Sequence, residues 1–133
     1  MEKPLIIELP KILDTRGNLS FFENNHQIPF EIKRTYWIYD VPGGETRGSH
    51  AFIEQREFII ALSGSFDVIL NDGKEERTYS MNRSYYGLYI PPMMWRKLDN
   101  FSTNSLALIV SDREFSETDY IRDFEEFMKI KFK

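Results

Sequence analysis

Short apolar or alternating runs separated by turn-forming residues recur along most of the chain, and only the last stretch changes period. Lys33 to Asp40 alternates, with Thr35, Trp37 and Tyr39 on one side and Tyr36 and Ile38 on the other, which predicts a strand. Phe58 to Leu62 is almost continuously apolar and short enough for a buried strand. Ser63-Gly64-Ser65 interrupts it before Phe66 to Leu70. Asn71-Asp72-Gly73 then predicts a hairpin, because Asp-Gly tolerates the positive φ angles of a tight turn, and Arg77 to Tyr79 returns alongside. Ile6 to Leu9 and Leu19 to Glu23 flank a turn at Asp14-Thr15-Arg16-Gly17, and Pro42-Gly43-Gly44 reverses the chain. Tyr85 to Ile90, Met94 to Leu98 and Leu106 to Val110 complete a strand series running from about residue 5 to 111. Closely spaced short strands predict a sandwich or barrel. From Ser116 the period becomes helical: Tyr120, Ile121, Phe124, Phe127 and Met128 predict a helix over about 117–130, capped by Ser116 and favoured at its start by Asp119.

Composition strengthens this all-β reading. Aromatic residues make up 15% of the 133, and they suit half-buried pleated surfaces. The length predicts one domain spanning residues 1–133, able to bury roughly two thirds of its unfolded surface. A net charge of -4 argues against a nucleic-acid partner, which needs a basic face, while leaving room for a local basic pocket. The absence of Cys removes disulfide and thiol chemistry. No apolar run is long enough to span a bilayer, and the first residues lack the pattern of a signal peptide. The expectation is a cytoplasmic protein without a membrane partner.

One segment narrows the chemistry. From Gly44 to Gly64 the spacing is Gly, five residues, His50, one, Phe52, four, Glu57, six, Gly64. This is the frame of a cupin metal motif, with Phe52 where a second His would stand. The second half of such a site is matched by Pro91 to Asn100, where Met93 takes a Gly position and Arg96 a His position. A permanent cation at a ligand position repels a metal, so no metal and no other cofactor is expected.

Without a metal, His50 is free to take and return a proton near neutrality, although a lone His in a β domain also serves structural roles. Tyr36 can donate a hydrogen bond to a developing enolate or simply fill the core. Arg47 fits either a diphosphate or a surface turn. Glu57 can set the tautomer of His50, or bind Arg47 or Arg96. Trp95 can stack on a nucleobase or pack internally. His26, in polar surroundings, reads as a solvated loop residue.

These residues sit within longer stretches that resemble the WxcM-like sugar 3,4-ketoisomerases, the group of the FdtA and QdtA enzymes. The resemblance is carried by Asp14 to Leu19, Arg47-Gly-Ser-His50-Ala51, Ile60 to Val68, Tyr86 to Pro92 with Trp95, and Thr118 to Phe124. It implies a cupin jelly-roll barrel with a short C-terminal helix, a homodimer, and a thymidine-diphosphate-linked 4-keto-6-deoxyhexose as substrate. The implied reaction gives the 3-keto isomer through an enediolate, without metal or redox cofactor. His50 and Tyr36 are the implied catalytic residues; Arg47, Glu57, Arg96 and Trp95 are the candidate substrate-binding residues. The family's usual second His aligns with Phe52, and that departure keeps two alternatives in view: a cupin that binds sugar nucleotides without turnover, and a related epimerase.

Overall fold

The structure is a computed structural model that describes residues 2–133. In chain order its strands are β1 (Leu5–Glu8), β2 (Lys11–Ile12), β3 (Leu19–Ser20), β4 (Arg34–Tyr39), β5 (Arg47–Phe52), β6 (Glu57–Ser63) and β7 (Phe66–Asn71). There follow β8 (Glu76–Met81), β9 (Tyr86–Ile90), β10 (Trp95–Asp99), β11 (Leu106–Ser111) and β12 (Tyr120–Ile121), and finally the helix α1 (Phe124–Lys131). One five-stranded sheet has the order β1-β9-β6-β11-β4 and the other β12-β5-β10-β7-β8; β2 and β3 pair only with each other. All pairings are antiparallel.

The two large sheets face each other across one core. Ile59, Ala61, Leu88 and Ile109 come from the first sheet, and Phe66, Val68, Leu70 and Leu98 from the second. The unbroken apolar run of β6 has its cause in a second cover. Phe58 and Ile60 point away from the core, where Phe22, Ile28 and Phe30 pack over them. A glycine is required at residue 87, because a Cβ there would lie 2.2 Å from Cζ of Phe58. On β4 the expected alternation holds: Tyr36 and Ile38 are half-buried, whereas Trp37 and Tyr39 are 56% and 61% exposed. β4 is an edge strand, and on the opposite sheet only the two-residue β12 lies beyond β5. The side of the sandwich between β4 and β5 is therefore not closed by a strand pairing.

The C-terminal region departs from the expected helix over 117–130. Residues 117–119 form a short 3-10 turn, Tyr120 and Ile121 pair with Phe52 and Ala51, and α1 begins only at Phe124. The strand pairing wins because it gives two backbones ladder partners. Asp119 also turns inward, accepting hydrogen bonds from the backbone N–H groups of Glu54 and Gln55 at 2.9 and 3.0 Å. Ser116 makes no helix-capping bond; Asp123 does, accepting from the Glu126 N–H. Leu19 to Glu23 is likewise shorter than expected, with only Leu19–Ser20 in a ladder.

Candidate active site

The open side leads into a cavity of about 350 Å³ between the sheets. The first sheet supplies Arg34 and Tyr36 from β4 and Glu57 from β6; the second supplies Arg47 and His50 from β5, Arg96 from β10, and Tyr120 from β12. Strand register explains their meeting. His50 lies directly opposite Arg96 in the β5–β10 ladder, so both point to the same face. The register then shifts before Leu98 pairs with Arg47. Gly48 lies at this irregularity with φ +70, a backbone conformation that costs a glycine little, and a Cβ there would press on Leu98 at 3.2 Å.

The centre of the site is the Glu57 carboxylate, 2% exposed. Arg96 Nη1 donates to its Oε1. Its Oε2 accepts from the Tyr36 hydroxyl at 2.6 Å and from the Gln55 amide at 2.8 Å. An unpaired buried charge would be prohibitive, and three donors, one of them cationic, offset that cost. Burial, reinforced by the adjacent Glu57 charge, pushes the Tyr36 phenol well above its ordinary pKa. Tyr36 therefore stays a neutral hydroxyl and a hydrogen-bond donor.

His50 lies against the edges of two aromatic rings, with centroid distances of 4.8 Å to Phe52 and 5.1 Å to Tyr120. Desolvation, helped by the positive charges of Arg96 and Arg122, pulls its pKa from 6.5 down to about 3. The imidazole is therefore neutral at physiological pH. Three buried polar atoms have no hydrogen-bond partner: His50 Nε2, Arg96 Nε and Arg96 Nη2. Buried polar atoms are paired in most folded proteins, so three orphans around one cavity mark a place built for a polar ligand.

The donor set does not fit a metal. The one buried carboxylate is held by a guanidinium, and Phe52 is fully buried with the Arg96 guanidinium 4.9 Å from its ring centre. No group of three or more metal-binding side chains occurs among the described residues.

The structure thus brings His50, Tyr36, Arg47, Glu57 and Arg96 to one cavity. Of the parts open to Glu57, the structure shows the pairing with Arg96, and its other oxygen serves Tyr36 and Gln55 instead of the imidazole. Trp95 is not brought there. Alternation along β10 turns Arg96 inward and Trp95 outward, where it packs on Phe124 and Phe127 of α1. His26 is exposed in a turn, as its surroundings predicted. Four contributors escaped sequence reasoning: Arg34, Gln55, Tyr120 and Arg122. Tyr120 and Arg122 lie in the Thr118 to Phe124 stretch, whose helical spacing concealed the pairing of Tyr120 and Ile121 with β5.

Comparison with known proteins follows the same lines. The family model FdtA, described as WxcM-like, C-terminal, matches residues 2–132. A TDP-4-oxo-6-deoxy-alpha-D-glucose-3,4-oxoisomerase from Aneurinibacillus thermoaerophilus is 38% identical over 124 residues, covering 93% of this chain and 89% of the relative. Among solved structures, a 3,4-ketoisomerase from Helicobacter canadensis superposes with a TM-score of 0.96 at 37% identity, covering all of both chains. QdtA, a sugar 3,4-ketoisomerase from Thermoanaerobacterium thermosaccharolyticum in complex with TDP, gives 0.95 at 32% identity, covering 97% of this chain and 94% of that one.

Proposed function

The chain belongs to the FdtA family, WxcM-like, C-terminal, and we propose that it is a sugar-nucleotide 3,4-ketoisomerase acting on a thymidine-diphosphate-linked 4-keto-6-deoxyhexose. The observation that carries this reading is the set of three unpartnered polar atoms on His50 and Arg96, facing a hydroxyl held by Glu57. That arrangement supplies what a keto–hydroxyl exchange requires. One group must move a proton between carbons, a second must move a proton between oxygens, and a cation must stabilise the enediolate.

In this reading neutral His50 removes the proton from C3 through Nε2. The C–H electron pair forms the C3=C4 double bond, and the C4 carbonyl pair moves onto its oxygen. Tyr36 gives that oxygen its phenolic proton and accepts one from the C3 hydroxyl, ending unchanged. The C3–O bond becomes the new carbonyl, and the imidazolium returns a proton to C4. Because the Tyr36 phenol resists ionisation beside Glu57, its two proton transfers are coupled and no free phenolate accumulates. The unpaired N–H groups of Arg96 donate to the oxygens while they carry negative charge. Arg47, with Arg34 and Arg122 beside it, binds the diphosphate. The phosphate charge offsets Arg122, one of the two cations that add to the effect of burial on His50. Phe52 leaves His50 as the only imidazole of the site.

The protein acts as a homodimer in the cytoplasm in this reading, and no helix among the described residues is long and apolar enough to cross a membrane. The test is incubation with thymidine-diphosphate-linked 4-keto-6-deoxyglucose in deuterated water, followed by NMR. Migration of the ketone from C4 to C3 is expected. Deuterium entering C3 or C5 without migration, or binding without exchange, would refute isomerisation.

A further inference from the structure

Gln55 is a buried polar side chain that reaches the centre of the site from behind. It is 2% exposed and does not line the cavity, so it is out of reach of a bound substrate. The turn that carries it, residues 53–56 between β5 and β6, is fastened on two sides. The Asp119 carboxylate takes the N–H groups of Glu54 and Gln55, and the Asp119 carbonyl accepts from the Ile53 N–H at 2.9 Å. The Asp112 carboxylate accepts from the backbone N–H and from Nε of Arg56, both at 2.9 Å. With the N–H groups of Ile53, Glu54, Gln55 and Arg56 all tied, the Gln55 amide has a fixed aim.

That aim is Oε2 of Glu57, the same atom that accepts from the Tyr36 hydroxyl. A carboxylate only accepts, so the amide must present its NH2 and the phenol its proton. Tyr36 has one proton to give, and it can meet Glu57 or a substrate oxygen, not both. Its ring is held beneath Arg34, whose guanidinium carbon lies 4.3 Å from the ring centre, so the hydroxyl turns while the ring stays. Turning it toward substrate takes a donor away from a buried carboxylate, and a buried acceptor left bare is costly. Arg96 does not cover that loss, because its bond goes to Oε1.

We propose that Gln55 is a positioning residue for the proton transfers of Tyr36: its amide keeps Oε2 of Glu57 satisfied when the hydroxyl turns toward the substrate. No proton passes to or from Gln55, since an amide does not titrate near neutrality, and Glu57 stays an anion throughout. Sharing also matters at rest. Two donors on one oxygen each hold it less tightly than one alone, so the Tyr36 hydroxyl is released more readily. This assignment rests on the isomerase reading for what Tyr36 does, but the sharing of Oε2 can be tested without turnover.

Gln55→Leu removes the donor at similar volume. Its kcat is expected to fall about 10–100-fold, the worth of one donor to a buried acceptor. KM should stay within about twofold, because position 55 does not line the cavity. An unchanged kcat, or a loss carried mainly by KM, would overturn the proposal. Gln55→Glu keeps the shape and serves where the leucine variant does not fold. Its introduced carboxyl donates only while protonated, and the Glu57 charge beside it raises its pKa. The kcat of that variant should therefore approach the wild-type value as pH falls and drop as the carboxyl ionises; a profile parallel to that of the wild type would overturn the role. The third measurement is NMR of the Tyr36 hydroxyl proton in tyrosine-labelled chain without substrate. In Gln55→Leu the phenol is the sole donor to Oε2, so its proton resonance should move downfield. An unmoved resonance would overturn the sharing of Oε2 whether or not the wild-type chain moves the ketone, whereas a wild type that moves no ketone removes the isomerase reading and the positioning role with it.

Discussion

Acidification should destabilise this protein through one residue, His50, before its carboxylates begin to titrate. The folded state holds the imidazole near pKa 3, against 6.5 for an exposed His, mainly because burial disfavours the charged ring. Below pH 6.5 the unfolded chain binds a proton at this position and the folded chain does not. Each unit of pH then removes about 1.4 kcal/mol of stability, or about 2 kcal/mol between pH 6.5 and 5. The loss ends only as pH falls through the folded value, and above pH 6.5 the contribution is complete. The comparison is with His50→Asn, in which every carboxylate is retained. Urea unfolding at pH 7.5, 6.5, 5.5 and 5.0 is the assay. The wild-type free energy should fall by about 2 kcal/mol more than that of the variant, itself a large share of the 5–15 kcal/mol typical of a small domain. Parallel pH dependences in the two proteins would refute the depressed imidazole pKa. The variant should also be folded at pH 7.5 and without turnover.

Two further substitutions probe the network. Tyr36→Phe should lower kcat by about 10²–10⁴, the usual worth of one proton-transfer group, and an unchanged kcat would remove Tyr36 from the reaction. Phe52→His places a polar ring in a fully buried position against the Arg96 guanidinium. It should cost about 1–3 kcal/mol of stability, read from the urea midpoint, and bring no gain in rate; a large gain would instead mark Phe52 as a lost acid–base position.

The parts of the fold governed by local pattern were legible in the sequence. The alternation at Lys33 to Asp40 and the apolar run at Phe58 to Leu62 correspond to β4 and β6, and the Asp72-Gly73 turn joins β7 to β8. The spacing from Gly44 to Gly64 placed His50, and Pro91 to Asn100 placed Arg96, because both sequences count residues along strands that end up paired. What the sequence concealed depends on contacts between distant segments. Tyr120 and Ile121 have helical spacing with the residues of α1, yet their pairing with β5 overrides it. Alternation along β10 lets only one of the neighbours Trp95 and Arg96 face the cavity, and the motif spacing already assigned that position to Arg96. Gln55 entered the site only because Glu57 required another donor.

The Glu57–Arg96 pair has a consequence for how such a site can change over time. Its carboxylate comes from one sheet and its guanidinium from the other. Replacing either alone strands a buried charge, at a cost of about 3–5 kcal/mol, whereas replacing both with apolar groups of similar volume can be nearly neutral. The path between a lineage with this arrangement and one with a different pair of residues therefore passes through a poorly folded intermediate. The two positions are expected to be exchanged jointly, or only in a background already stabilised elsewhere, so that the history of one constrains the history of the other.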